Sequence, residues 1–131
     1  MQNDIDLTIC IPTNGIVEWV FPVLDSIFQQ DDVNLSRYEV VVTDNGNNAV
    51  FKTGIKKYEE KYFNLRYYET HEVGFLNQIA CFKEAKGKFV KFLNHRMLML
   101  PGSLQYLLDY VTEAGENRIP IYFSNGVLKQ E

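Results

Sequence analysis

Tyr38-Glu39-Val40-Val41-Val42-Thr43, closed by Asp44-Asn45-Gly46-Asn47, reads as a buried strand running into a turn. The β-branched run fits a pleated surface, and Asp, Asn and Gly are the residues that turns select. The same grammar stands upstream in Leu7-Thr8-Ile9-Cys10-Ile11, ended by Pro12-Thr13-Asn14-Gly15, and downstream in Lys88-Phe89-Val90-Lys91-Phe92-Leu93, ended by Asn94-His95-Arg96-Met97. Leu65 to Glu69 is a weaker third strand, and Ile119 to Phe123 a fifth. Helical spacing fills the intervals. Val17, Val20, Phe21, Leu24, Ile27 and Phe28 share one face, with Pro22 requiring the regular helix to begin near it. Phe51, Ile55, Tyr58 and Tyr62 mark a second helix, and Phe75, Ile79 and Phe82 trace a third that stops at Gly87, a left-handed cap candidate. Pro101-Gly102-Ser103 starts a fourth, carrying Leu104, Leu107, Leu108 and Val111. Strands alternating with helices predict an α/β fold: a mainly parallel sheet with helices on both faces.

The chain of 131 residues, 46% hydrophobic, is read as one domain spanning 1–131. A chain of this size buries enough surface to dispense with disulfides or structural metal. Cys10 and Cys81 lie in apolar segments without ligand spacing and read as reduced core thiols. With 17 acids against 13 bases the net charge is -4, which argues against nucleic acid, whose phosphates need a basic stripe. The N-terminal residues are polar and acidic, unlike a secretion signal, and no apolar run reaches membrane-spanning length, so a cytoplasmic location is expected.

Open parallel sheets bind ligands beyond the carboxyl ends of their strands. The polar segments lie there: 12–15, 44–47, Thr70-His71-Glu72-Val73-Gly74 and 94–97, with both histidines of the chain among them. Turn chemistry accounts for part of this enrichment. No GxGxxG follows the first strand, and neither GxxxxGK[ST] nor GxSxG occurs, which excludes the common dinucleotide, P-loop and hydrolase sites. A phospho-receiver needs acids at the end of strand one, where Thr13 and Asn14 stand instead.

Leu7-Thr8-Ile9-Cys10-Ile11-Pro12-Thr13, Val40-Val41-Val42-Thr43-Asp44-Asn45-Gly46, Gly74-Phe75, Ala85-Lys86-Gly87-Lys88-Phe89-Val90-Lys91-Phe92-Leu93 and Leu100-Pro101-Gly102-Ser103-Leu104 together resemble the successive landmarks of a family 2 glycosyltransferase, from about Leu7 to Leu108. The resemblance implies a GT-A fold and inverting transfer of a sugar from a nucleoside diphosphate donor to a glycan or lipid-linked acceptor, usually with Mg²⁺ or Mn²⁺. By position it makes Pro12 and Thr13 the first-strand loop of the nucleoside pocket, and Asp44 the carboxylate that accepts from uracil N3–H. It also places Gly74 where backbone approaches the donor, and gives a UDP-sugar as the partner. Read without the resemblance, Asp44 caps its own turn and Gly74 is a turn glycine.

The departures from the family pattern are specific. Asn14-Gly15 replaces the Tyr-Asn pair whose ring stacks on the base, and Asn94-His95-Arg96-Met97 replaces the acidic Asp-x-Asp type motif, so no metal ligands are assigned. His95 and Arg96 are the candidates to take over part of the metal's role on the diphosphate. The family's catalytic base and acceptor pocket lie in a second half that residues up to Glu131 are not expected to include, so no catalytic residue is assigned, Glu113 and Glu116 included. Three readings stay open: a donor-binding glycosyltransferase domain, an inactive GT-A-like interaction or regulatory module, or an unrelated small α/β binding protein whose resemblance arises because buried strands and turns draw on few residue types.

Overall fold

A computed structural model describes residues 5–114. Strands β1 (Leu7–Thr13), β2 (Tyr38–Asp44), β3 (Leu65–Glu69) and β4 (Phe89–Phe92) alternate with helices α1 (Val17–Phe28), α2 (Ala49–Lys61), α3 (Phe75–Glu84) and α4 (Ser103–Ala114). Among the described residues the strands form one sheet in the order β3-β2-β1-β4, every pair parallel. The expected fifth strand, Ile119 to Phe123, lies outside the described residues.

Register puts Leu7 beside Tyr38 and carries through to Thr13 beside Asp44, so the two central strands end level. Their odd-numbered β1 and even-numbered β2 side chains, Leu7, Ile9, Ile11, Tyr38, Val40 and Val42, join one apolar core with Val20, Val23, Leu24 and Ile27 of α1, Phe51 and Ile55 of α2, and Leu104, Leu107 and Leu108 of α4. The opposite face is smaller and more polar. There Cys10 and Val41 meet Cys81 of α3, beside buried Thr8 and Glu39. Cys10 and Cys81 are free thiols in this layer, Cys81 Sγ donating to the Val41 carbonyl at 3.3 Å.

Three local expectations change. α1 starts at Val17 rather than near Pro22. Pro22 removes only the bond to the Glu18 carbonyl, on a side where Glu18 and Pro22 are both exposed, while buried Val20 holds the first turn to the core. The face of α3 that touches the sheet is Asn77 and Cys81, whereas Phe75 and Phe82 are 69% and 54% exposed. Small and polar side chains cover the sheet here, and large rings have no cavity to enter. Finally, α3 ends at Glu84, with the Ala85 N–H bonded to the Phe82 carbonyl, and Gly87 is not its left-handed cap.

Gly87 has a different task. Its N–H donates to Thr8 Oγ1 at 2.8 Å as the chain crosses under β1, and a Cβ there would stand 2.6 Å from the Thr8 nitrogen and 2.7 Å from the Leu7 carbonyl carbon. Both are backbone atoms of a central strand and cannot swing away. Gly87→Ala is therefore expected to lower stability by about 1–3 kcal/mol, the range for overpacking. Urea denaturation measures this, and an unchanged midpoint would mean that the 85–88 link can move off Thr8.

Candidate functional site

β1 outruns β4. The β1–β4 ladder ends at Cys10 beside Phe92, whereas β1 continues to Thr13. Pro12, lacking an N–H, falls where β1 has no neighbour on that side, which is why a central strand tolerates it. The chain leaving β4 folds back into this notch. Asn94 Oδ1 accepts from the Arg96 N–H at 3.0 Å, and the Asn94 carbonyl from the Met97 N–H at 2.9 Å, closing a tight turn that presents His95 and Arg96.

His95 Nδ1 lies 2.7 Å from Thr13 Oγ1, and the same oxygen accepts from the Gly15 N–H at 3.0 Å. Trp19, in the first turns of α1, meets the His95 ring edge-on at 5.2 Å, and the Arg96 guanidinium sits 4.3 Å above the Trp19 ring. Thr13, His95 and Arg96 are thus brought together through a tryptophan that sequence reading passed over as one more residue between helix positions. When the Thr13 hydroxyl donates to Nδ1, the proton of the neutral imidazole is on Nε2, where it can donate to an anion.

Asp44, level with Thr13 across the β1–β2 ladder, is only 2% exposed. Its Oδ1 accepts from the Gly46 N–H at 2.8 Å and its Oδ2 from the Tyr67 hydroxyl at 2.5 Å. Gly15 lies directly over the carboxylate: a side chain beginning there would stand 3.0 Å from Oδ1 and 3.4 Å from the Phe51 ring. The Gly15 carbonyl accepts from Asn48 Nδ2 at 3.1 Å, and Asn48 Oδ1 caps α2 by accepting from the Val50 N–H at 3.0 Å. The loops after β1 and β2 are therefore tied into one roof over Asp44.

Gly74 stands apart from this cluster. It caps α3 with φ 59 and ψ -128, a conformation reserved for glycine, and nothing lies within 4 Å of where a side chain would start. His71, on the same loop, is exposed. The residue that joins α3 to the site is Asn77, buried at 3% exposure. Its Nδ2 donates to the carbonyls of Thr43 at 3.0 Å and Thr13 at 3.4 Å, and its Oδ1 accepts from the Thr70 hydroxyl at 2.7 Å, so one amide ties the ends of three strands. The signal for it was a polar residue four positions before Cys81 on the helix face that meets the sheet.

The segment after β4 does not fit a divalent metal. Asn94, His95 and Arg96 offer no carboxylate, His95 Nδ1 is engaged by Thr13, and a guanidinium occupies the vicinity. Among the described residues no three His, Cys, Asp or Glu side chains gather in a metal-holding group.

Burial, and after it the charge of Arg96, push the His95 pKa below its ordinary 6.5. The folded protein holds the ring neutral while the unfolded chain takes up a proton near 6.5, so this residue's share of stability is complete above 6.5 and is lost as pH falls from there toward the folded value. NMR titration of the imidazole should give a midpoint below 6.5 that rises in Arg96→Ala. A midpoint at or above 6.5 would show a ring open to solvent.

No curated protein matches the chain by sequence. Solved structures do match its fold. S. aureus TarS 1–349 in complex with UDP superposes with a TM-score of 0.72 at 22% identity, covering 83% of this chain and 32% of that one. The same protein with UDP-GlcNAc gives 0.71 at 23% identity, again over 83% and 32%. The mannosyltransferase PcManGT from Pyrobaculum calidifontis, in complex with GDP-Man and Mn²⁺, gives 0.68 at 20% identity, over 84% and 32%. The chain spans about a third of the length of these structures, and its sheet and helices have the GT-A architecture. The profile of glycosyl transferase family 2 matches residues 8–125, and the chain belongs to that family.

Proposed function

We propose that this chain binds a nucleoside diphosphate sugar, most favourably a uridine one, and supplies the donor half of an inverting glycosyl transfer to a glycan or lipid-linked acceptor. The single observation that carries the reading is the pairing of Asp44 with Thr13 at the level ends of β2 and β1, one turn away from His95 and Arg96. An acceptor group, a hydroxyl and a cation then line up in the order that base, ribose and diphosphate present. Related folds bind UDP, UDP-GlcNAc and GDP-Man, which supports the ligand class.

In this reading the base N–H donates to Asp44. Because Asp44 is sealed, the Asn14–Gly15 turn moves aside to admit the base, breaking the bonds from Asn48 to the Gly15 carbonyl and from the Gly15 N–H to Thr13 Oγ1. The metal ion common in the family would neutralise the departing diphosphate; here Arg96, fixed on Trp19, takes that charge through paired N–H bonds, with His95 as a second donor. Pro12 and Gly74 are the other two positions that the family resemblance gives to the donor, and open space surrounds the place where a Gly74 side chain would start.

A second reading, an inactive module that binds another protein, is favoured by one observation: Phe75, Leu76 and Phe82 of α3 are exposed beside Phe92 of β4, with the Phe82 and Phe92 rings 6.4 Å apart.

Calorimetry with UDP separates the two. Asp44→Asn, which keeps the shape and offers an amide where an acceptor is needed, is expected to weaken UDP binding by about 1.5–3 kcal/mol. Equal affinities would leave Asp44 as a turn former, and no binding by the wild-type protein would favour the module. Binding of UDP should also be indifferent to EDTA yet weaken by about 1.5–3 kcal/mol in Arg96→Ala, the range for hydrogen bonds to charged groups. Strict dependence on Mn²⁺ with no effect of Arg96→Ala would reverse that assignment.

A further inference from the structure

Asp44 does not hold its orientation alone. Tyr67 stands beside Val42 in the β2–β3 register, on the sheet face shared by Val42 and Asp44, and its ring packs against Phe51 at 6.1 Å. From there the hydroxyl reaches two residues along β2 to donate to Asp44 Oδ2 at 2.5 Å. The Gly46 N–H holds the other oxygen at 2.8 Å. A carboxylate whose two oxygens are each gripped by a fixed donor cannot turn about its terminal bond, a torsion that is otherwise broad.

We propose that Tyr67 is a positioning residue for nucleobase selection: it fixes the plane of the Asp44 carboxylate so that the lone pairs left on Asp44 face the incoming base. The inference rests on the nucleotide-binding reading above and adds a selectivity rule to it. Gly46 and Tyr67 use one lone pair on each oxygen, so the remaining ones form an acceptor-only surface. Bases with a ring N–H at the pairing edge, uracil at N3 and guanine at N1, satisfy that surface. Cytosine N3 and adenine N1 turn a lone pair toward it and leave buried acceptors unmatched, which is the strongest form of discrimination a polar pocket has.

Two further observations agree. Burial, and after it the bond to Asp44, hold the Tyr67 phenol protonated far above its ordinary range, so it donates at every physiological pH. Its ring is half-buried against α2, giving a rigid arm with only two side-chain torsions.

The test is the ratio of UDP to CDP affinity, by calorimetry, in the wild type, Tyr67→Phe and the double variant Tyr67→Phe/Asp44→Asn, with thermal melting as a control. Phenylalanine keeps the ring on Phe51 and removes only the donor. UDP affinity is expected to fall about tenfold in Tyr67→Phe, with CDP affinity within about twofold of wild type, so that the ratio collapses; the melting temperature falls too, because buried Asp44 Oδ2 loses its donor, and both affinities are measured well below the transition. Tyr67→Phe added to Asp44→Asn should change the ratio no further. A wild-type ratio in Tyr67→Phe, or equal loss of both nucleotides, would overturn the inference and leave the nucleotide site standing. Absence of UDP binding to the wild-type protein would overturn the nucleotide reading and this one with it.

Discussion

The structure depends on a carboxylate buried under its sheet. Glu39 is 2% exposed and receives the Thr8 hydroxyl from β1 at 2.7 Å, the Arg66 guanidinium from β3 at 2.7 Å and the Lys86 N–H from the link between α3 and β4 at 2.7 Å. A charge removed from water is tolerable only when its lone pairs are taken up, and loss of any partner exposes that cost. The consequence is positional. Three strands and the return path of a fourth are pinned at their amino ends, and Arg66 extends the pin by donating to the Glu84 carbonyl at the end of α3. Gly87 is obligatory because the link must pass this close to β1 to deliver its N–H groups.

At the other end of the same face Asn77 works without charge, joining the carboxyl ends of β1, β2 and β3. The α3 face is thus held by two polar hubs and a thin layer of cysteine and valine, while the α1, α2 and α4 face holds the large apolar side chains. This division explains how α3 can leave its aromatic residues outside. It is fastened at both ends by hydrogen bonds and does not need its rings for adhesion.

What the sequence revealed and what it hid follow from the same division. β1 and β2 were legible because parallel strands buried on both faces carry runs rich in Val, Ile and Leu, and Leu65 to Glu69 matched β3 to the residue. α3 was found, but its buried face was not, since a rule that turns apolar residues inward fails where the surface to be covered is made of Thr8, Glu39 and Cys10. Thr13, Asp44, His95 and Arg96 lie in the polar segments after strands, and it was the family resemblance and the departure from its acidic motif that singled them out. Nothing in their spacing could disclose Trp19 beneath Arg96, Tyr67 beside Asp44 or Asn77 between three strand ends, because each pairing joins positions that only the folded sheet makes neighbours.

The early end of β4 has a kinetic consequence. Past Cys10, β1 has β2 as its one strand neighbour, so its last three residues form the edge of a sheet end that is three strands wide. Backbone amides near Ile9 and Val40, paired on both sides, are expected to exchange with solvent more slowly than those of this edge and the turn above it. A turn at this edge that lifted for a ligand, as the proposed function requires, would do so without loosening the strands pinned at Glu39.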